Sequence, residues 1–228
     1  MNAMQALARI LKEEGVEWIA CFPSNELIEE VSKVGIRTIM FRQERGALMA
    51  ADAYSRLNHR QKFGVVITQG GPGSENSMGG LAQAFADNIP ILYLPAGPAL
   101  GARSVRPNFS PARTYDSVSK YSEVVFDPNS IASVMRRAFH NLRNGRGGPV
   151  TIELPMDVGT KEVSENALNY QSPKRHIQSP APSDVSDAVR ILLDAKKPVI
   201  WSGMGVLMGD ASEELREFAE LTEIPVYC

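Results

Sequence analysis

Apolar runs alternate with segments of helical period along most of this chain. Ala3, Leu7, Ile10 and Leu11 share one face of a helix predicted over residues 3–14, and Gly15 ends it as a left-handed cap. Residues 16–22 read as a strand. Pro23-Ser24-Asn25 breaks it, and Ser24 or Asn25 can cap a helix running to about residue 34, closed by Gly35. Residues 37–41 form the second strand. A helix follows in which Ala47, Ala50 or Ala51, Tyr54 and Leu57 recur at spacings of three and four. That face is mostly alanine, so the helix can approach a sheet closely. Residues 64–68 are an unbroken apolar strand, the kind buried on both faces of a parallel sheet. A glycine-rich loop, residues 69–76, opens a small-residue helix to residue 87. Residues 90–95, 123–126 and 148–154 are further strands, with a long Pro-, Gly- and Arg-rich loop over 96–113 and a helix over 129–142. Strand and helix alternate with crossovers long enough for parallel pairing. The fold class predicted for residues 1–158 is α/β, a doubly wound parallel sheet with helices on both faces.

From residue 159 to residue 183 the pattern dissolves into a linker carrying Pro173, Pro180 and Pro182. Ser183 then caps a helix with Val185, Ala188, Val189 and Leu192 on one face. A strand over 198–202, a helix over 211–221 and a strand over 224–228 follow. Residues 184–228 therefore read as the start of a second α/β domain. Two strands and two helices are too few to bury a full sheet core.

A net charge of −2 gives no electrostatic case for nucleic acid or for a membrane surface. No apolar run is long enough to span a bilayer, and residues 1–14 carry Arg9, Lys12, Glu13 and Glu14, unlike a signal peptide. With two cysteines, Cys21 in an apolar run and Cys228 at the last position, a reducing, cytoplasmic setting is expected. The loop Gly70 to Ser74 could cradle a phosphate, yet it lacks the Gly-Lys-Ser/Thr ending of a nucleotide-hydrolysing loop. Gly203-Met204-Gly205 is followed next by Gly209, one residue too far for a dinucleotide fingerprint. His59, His140 and His176 stand beside no nucleophile and acid, and no Cys or His pair has zinc spacing. Arg103, Arg106 and Arg113 read either as an anion site or as a solvated loop. Glu44 falls where the second strand gives way to its helix, at the carboxyl edge where parallel sheets bind ligands. A carboxylate there can serve chemistry, or it can simply complement the helix dipole.

Taken in order, Pro23-Ser24-Asn25-Glu26-Leu27, Arg42-Gln43-Glu44-Arg45-Gly46-Ala47, Gly71-Pro72-Gly73-Ser74-Glu75-Asn76 and Asp87-Asn88-Ile89-Pro90 make a recognisable series. It resembles the N-terminal, pyrimidine-binding domain of thiamine-diphosphate-dependent enzymes of the acetolactate synthase and benzoylformate decarboxylase group. Gly147-Gly148-Pro149-Val150 and Glu153-Leu154-Pro155-Met156-Asp157-Val158 are similar to the end of that domain. The stretch from Lys197-Pro198-Val199 to Ile224-Pro225-Val226 is similar to the start of the family's central domain.

The resemblance implies decarboxylation of a 2-oxo acid, followed by protonation or ligation of the resulting enamine. It implies that Glu44 hydrogen-bonds a ring nitrogen of the cofactor's aminopyrimidine and so drives loss of the thiazolium proton. Pro23, Gly73 and Asn76 would shape the pyrimidine pocket. Ser24, Gln69 and Phe109 are the substrate-side candidates. Ser24 falls where benzoylformate decarboxylases face the substrate carboxylate with a serine, and Gln69 falls near their catalytic histidine. Phe22-Pro23-Ser24-Asn25 replaces the family's Gly-x-Pro-Gly, so one glycine is missing. Mg²⁺ would be bound with the diphosphate by a domain outside these residues, in a longer chain or a partner, since no Gly-Asp-Gly motif occurs here. A homodimer or homotetramer is implied, and this chain alone is expected to be inactive. Two other readings stay open: a non-catalytic α/β module that binds a nucleotide or a protein, and one half of a split decarboxylase.

Overall fold

The apolar runs of the first part of the chain assemble as one six-stranded parallel sheet. The computed structural model describes residues 1–59 and 61–228. It divides into two compact units, Met1–Arg175 and His176–Cys228. In the first unit, helix α1 (Ala3–Glu13) leads to strand β1 (Trp18–Cys21), α2 (Leu27–Lys33), β2 (Arg37–Met40), α3 (Glu44–Leu57) and β3 (Gly64–Thr68). There follow α4 (Pro72–Ala86), β4 (Ile91–Gly97), α5 (Pro111–Tyr115), β5 (Tyr121–Val124), α6 (Ile131–Arg143), β6 (Val150–Pro155) and α7 (Met156–Gly159). The strand order is β2-β1-β3-β4-β6-β5. The doubly wound α/β fold expected from the alternation is the one observed. The order reverses between β1 and β3, and the loops leaving the carboxyl ends of β1, β2 and β3 gather at that switch point.

Side chains alternate along each strand. Ile19, Cys21, Ile67, Leu94 and Ile152 join α1, α2 and α6 in one apolar core. Ala20, Val66, Tyr93, Thr151 and Glu153 are buried on the opposite face, which α3, α4 and α5 cover. Local chemistry sets several boundaries. Asn2 and Gln5 form a reciprocal capping box at the start of α1. Gly15 and Gly35 both have φ +77°, the left-handed helix endings read from the sequence.

The small-residue face of α3 does let it close on the sheet. A Cβ on Gly64 would lie 2.4 Å from the Ala51 carbonyl oxygen. Ser55 completes the contact, donating to the Pro90 carbonyl at 2.6 Å and accepting the Gly64 N–H at 2.9 Å. The buried face is Glu44, Ala47, Leu48, Ala51 and Ser55, so it is turned from the one expected. Tyr54 is half-buried and Leu57 is 81% exposed, because Ser55 and not its neighbour meets the two backbone groups.

Elsewhere the boundaries also shift. The edge strand β5 starts two residues earlier than read, since Lys120 N–H bonds the Pro149 carbonyl and sets the register Tyr121↔Val150. Phe126, expected inside it, is 60% exposed. The long loop after β4 contains α5, which the sequence pattern did not reveal. Residues 160–175 lie along the first unit: Val163 N–H donates to the Met1 carbonyl at 2.9 Å, and the Tyr170 hydroxyl donates to Glu14.

The second unit holds α8 (Pro182–Asp194), β7 (Ile200–Trp201), α9 (Met204–Met208), α10 (Ser212–Thr222) and β8 (Val226–Tyr227). Strands β7 and β8 pair in parallel, with the Trp201 and Tyr227 rings edge to face at 5.9 Å. Helix α8 begins with Pro182, so Ala181 takes the cap and Ser183 lies inside the helix; a first-turn proline needs no N–H partner. Among the described residues α8 buries none of its side chains. Among them, too, no helix is long and apolar enough to cross a membrane.

Replacing Gly64 by alanine drives a methyl group into the Ala51 backbone. Gly64→Ala is expected to cost about 1–3 kcal/mol, the usual scale of overpacking. The reading is the urea midpoint followed by circular dichroism. An unchanged midpoint would show that α3 does not sit this close to β3.

Candidate functional site

Two βα junctions meet over the carboxyl edge of the sheet. Glu44 is the first residue of α3, preceded by extended Gln43, and Asn76 lies in the second turn of α4. Helices α3 and α4 pack side by side, so the two side chains meet: Asn76 Nδ2 donates to Glu44 Oε2 at 2.6 Å. Glu44 is 5% exposed. Its place at a helix N-terminus favours negative charge, which offsets part of the cost of burying a carboxylate. Among the described residues Oε1 takes no hydrogen bond. Gly73 packs close beside it: a Cβ there would lie 3.0 Å from Oε1 and 2.4 Å from Gln69 Cγ, so the missing side chain is what lets Gln69 and Glu44 approach this turn. Glu44, Asn76, Gly73 and Gln69 are therefore brought together. Arg42 and Arg45, on either side of Glu44, are exposed.

Pro23 and Ser24 sit on the neighbouring β1–α2 turn, both exposed. Ser24 has φ +74°, a conformation that favours glycine, so the turn keeps a glycine-like backbone with serine in that place. Asn25 ties the turn to the sheet: its Nδ2 donates to the Thr68 carbonyl at 2.8 Å and its Oδ1 accepts the Leu27 N–H at 3.0 Å. Pro23 and Ser24 line a cavity of about 630 Å³ on the α1–α2 side of the sheet, floored by Leu27, Leu94, Leu154 and Met156. Phe109 is half-buried and meets the Tyr115 ring edge to face at 6.4 Å. The three substrate-side candidates are thus dispersed: Ser24 on the cavity, Gln69 beside Gly73, Phe109 against α5.

Beneath the first turn of α4 lies a buried hydroxyl cluster. Tyr93 OH pairs with Thr68 Oγ1 at 2.9 Å, and Tyr115 OH donates to the Ser74 carbonyl. The two rings stand edge to face at 5.4 Å. Burial pushes both phenol pKa values up, so both stay as neutral hydroxyls.

Of the three loop arginines, Arg103 is engaged internally, 3.2 Å from Glu153, while Arg106 and Arg113 are exposed. Glu153, fully buried, and Tyr115 were missed as site neighbours. The signal for Glu153 was a charged residue in the otherwise buried, charge-free run Val150–Pro155.

Residues 1–117 match the family model for the N-terminal TPP binding domain of thiamine pyrophosphate enzymes, and residues 185–228 match the central domain of the same enzymes. The chain is 32% identical over 243 residues to an acetolactate synthase large subunit of Buchnera aphidicola subsp. Schizaphis graminum (strain Sg), across 99% of this chain and 41% of that protein. It is 32% identical over 233 residues to a glyoxylate carboligase of Escherichia coli O157:H7, across 99% and 39%. An acetolactate synthase large subunit of Corynebacterium glutamicum is 31% identical over 239 residues, across 99% and 37%. The chain thus spans about two fifths of the length of these curated relatives.

Cys21 lies under the Pro23 turn, its thiol 3.1 Å from Met40 Sδ. Burial pushes its pKa up from 9.0 to about 11. The thiol form favours the fold, a contribution complete below pH 9 and lost as pH rises through about 11. At pH 8 a disulfide reagent should titrate exposed Cys228 at once and reach Cys21 only in denaturant. Two fast thiols per native chain would contradict the burial of Cys21.

Proposed function

The chain belongs to the thiamine pyrophosphate enzymes, and from that premise we propose that Glu44 is the residue that activates the cofactor, in the pyrimidine-binding part of an enzyme acting on a 2-oxo acid. One observation carries this reading. A buried carboxylate at a helix N-terminus has one oxygen fixed by Asn76 and the other, beside Gly73, without a partner among the described residues. A planar heterocycle with a ring nitrogen able to share a proton fits that arrangement: it supplies the missing partner of Oε1.

In this reading Glu44 Oε1 holds and shares a proton with a ring nitrogen. Asn76 keeps Oε2 in place, so the carboxyl group cannot rotate away. Gly73 and the Pro23 turn shape the walls of the slot, and burial excludes water from the shared proton. When bound, thiamine diphosphate supplies a carbon nucleophile for the 2-oxo carbonyl and an electron sink for loss of carbon dioxide. Ser24, Gln69 and Phe109 are assigned to the substrate side, Ser24 from the rim of the cavity. Mg²⁺ and the diphosphate are assigned to a diphosphate-binding domain, in a longer chain or a partner subunit, with oxygen ligands suited to a hard cation. A homodimer or homotetramer is part of the same proposal, with the pyrimidine-binding part of one subunit facing the diphosphate-binding domain of another. The reaction is decarboxylation followed by protonation or carboligation, in line with relatives named acetolactate synthase and glyoxylate carboligase.

Glu44→Gln keeps the size of the side chain and removes the titrating oxygen. In the assembled protein with thiamine diphosphate and Mg²⁺, exchange of the thiazolium proton in deuterated buffer should slow by about 10²–10⁴-fold. The fold should be retained. Exchange at the wild-type rate would remove Glu44 from the role of activator.

A further inference from the structure

Glu153 is a fully buried carboxylate that the proposed chemistry does not use. It points from β6 to the face covered by α3, α4 and α5, and among the described residues every polar partner of its side chain comes from the segment that follows β4. Oε1 accepts Arg103 Nε at 3.2 Å. Oε2 accepts Ser110 Oγ at 3.0 Å and the Ala112 N–H at 2.9 Å, with Arg103 Nη2 at 3.4 Å. Arg103 Nη2 also donates to Ser110 Oγ at 2.6 Å, and its guanidinium lies 5.2 Å from the centroid of the Phe126 ring. The seat is built to size: a Cβ on Gly97 would stand 2.6 Å from Glu153 Oε1. Charge-assisted bonds of this kind are about twice as strong as neutral ones. Stripping the carboxylate of them would leave a buried charge unpaired.

The clamp continues toward the Glu44 site. Ala112, held by Glu153, is in α5, and the last residue of α5 is Tyr115. The Tyr115 hydroxyl donates to the Ser74 carbonyl, in the first turn of α4. That turn carries Gly73, and Asn76 follows two residues later. A line of contacts thus runs from Glu153 through Ala112 and Tyr115 to the groups around Glu44 Oε1. We infer that Glu153 is a positioning residue: it locks the loop after β4, so that Tyr115 holds the first turn of α4 in register with Glu44. The inference rests on the reading of that site as the pyrimidine slot.

The test uses the assembled protein with thiamine diphosphate and Mg²⁺, and two variants. Glu153→Ala should speed backbone hydrogen exchange across residues 98–115, measured without cofactor. It should also raise the calorimetric Kd for thiamine diphosphate by about tenfold or more, the scale of one lost hydrogen bond. Glu153→Gln, which keeps an acceptor for the Ala112 N–H, should recover part of both effects. Tyr115→Phe removes one hydroxyl and leaves the clamp intact. It should raise Kd by about tenfold while exchange over 98–110 stays as in the wild type. Wild-type Kd in Tyr115→Phe, or a loosened loop with wild-type Kd in Glu153→Ala, would overturn the positioning role. Wild-type thiazolium exchange in Glu44→Gln would instead overturn the slot itself, and the loop-exchange arm tells the two failures apart.

Discussion

The site depends on one hydrogen bond, from Asn76 Nδ2 to Glu44 Oε2 at 2.6 Å. Burying a carboxylate costs several kcal/mol unless donors and dipoles replace the lost water. Here a helix N-terminus and a side-chain amide do so for half of the group, and the other oxygen stays without a partner among the described residues. The scaffold around it packs closely. Helix α3 is pressed onto β3 at Gly64, and α4 lies alongside α3 with its first turn held from below by Tyr115.

Much of this was legible from residue pattern. The apolar run ending at Phe41 and the alanine-rich period after it put Glu44 at a strand-to-helix junction. The alanines also announced the close approach that Gly64 permits. Gly15 and Gly35 marked two helix ends through their left-handed conformations. What pattern missed was tertiary. Leu57 looked like part of the buried face, but the choice between Tyr54 and Ser55 is made by the Gly64 and Pro90 backbone groups, which are distant in sequence. Helix α5 is five residues long and exists because Glu153, some forty residues on, accepts the Ala112 N–H; no local period encodes it. Gln69 and Asn76 could be named from the family resemblance, whereas the meeting of Asn76 with Glu44 follows from the packing of α3 against α4.

The two parts of the chain differ in how far they are satisfied. The first unit buries a continuous core on one face of its sheet and a tyrosine, threonine and serine cluster on the other. The second leaves Val199, Trp201 and Leu221 largely exposed around a two-stranded ladder. Residues 185–228 match the family's central domain, in relatives about two and a half times as long. Two strands cannot bury those side chains, which is the same limit of sheet size noted from the sequence.

Glu44 Oε1, without a partner among the described residues, is proposed to be reserved for a ring nitrogen of thiamine diphosphate. The most direct measurement is a high-resolution structure of the assembled protein with thiamine diphosphate and Mg²⁺. Glu44 Oε1 is expected at about 2.5–3.0 Å from an aminopyrimidine nitrogen, with Asn76 still on Oε2. A pyrimidine ring bound away from Glu44, or Glu44 Oε1 turned to bulk water in the bound state, would contradict it.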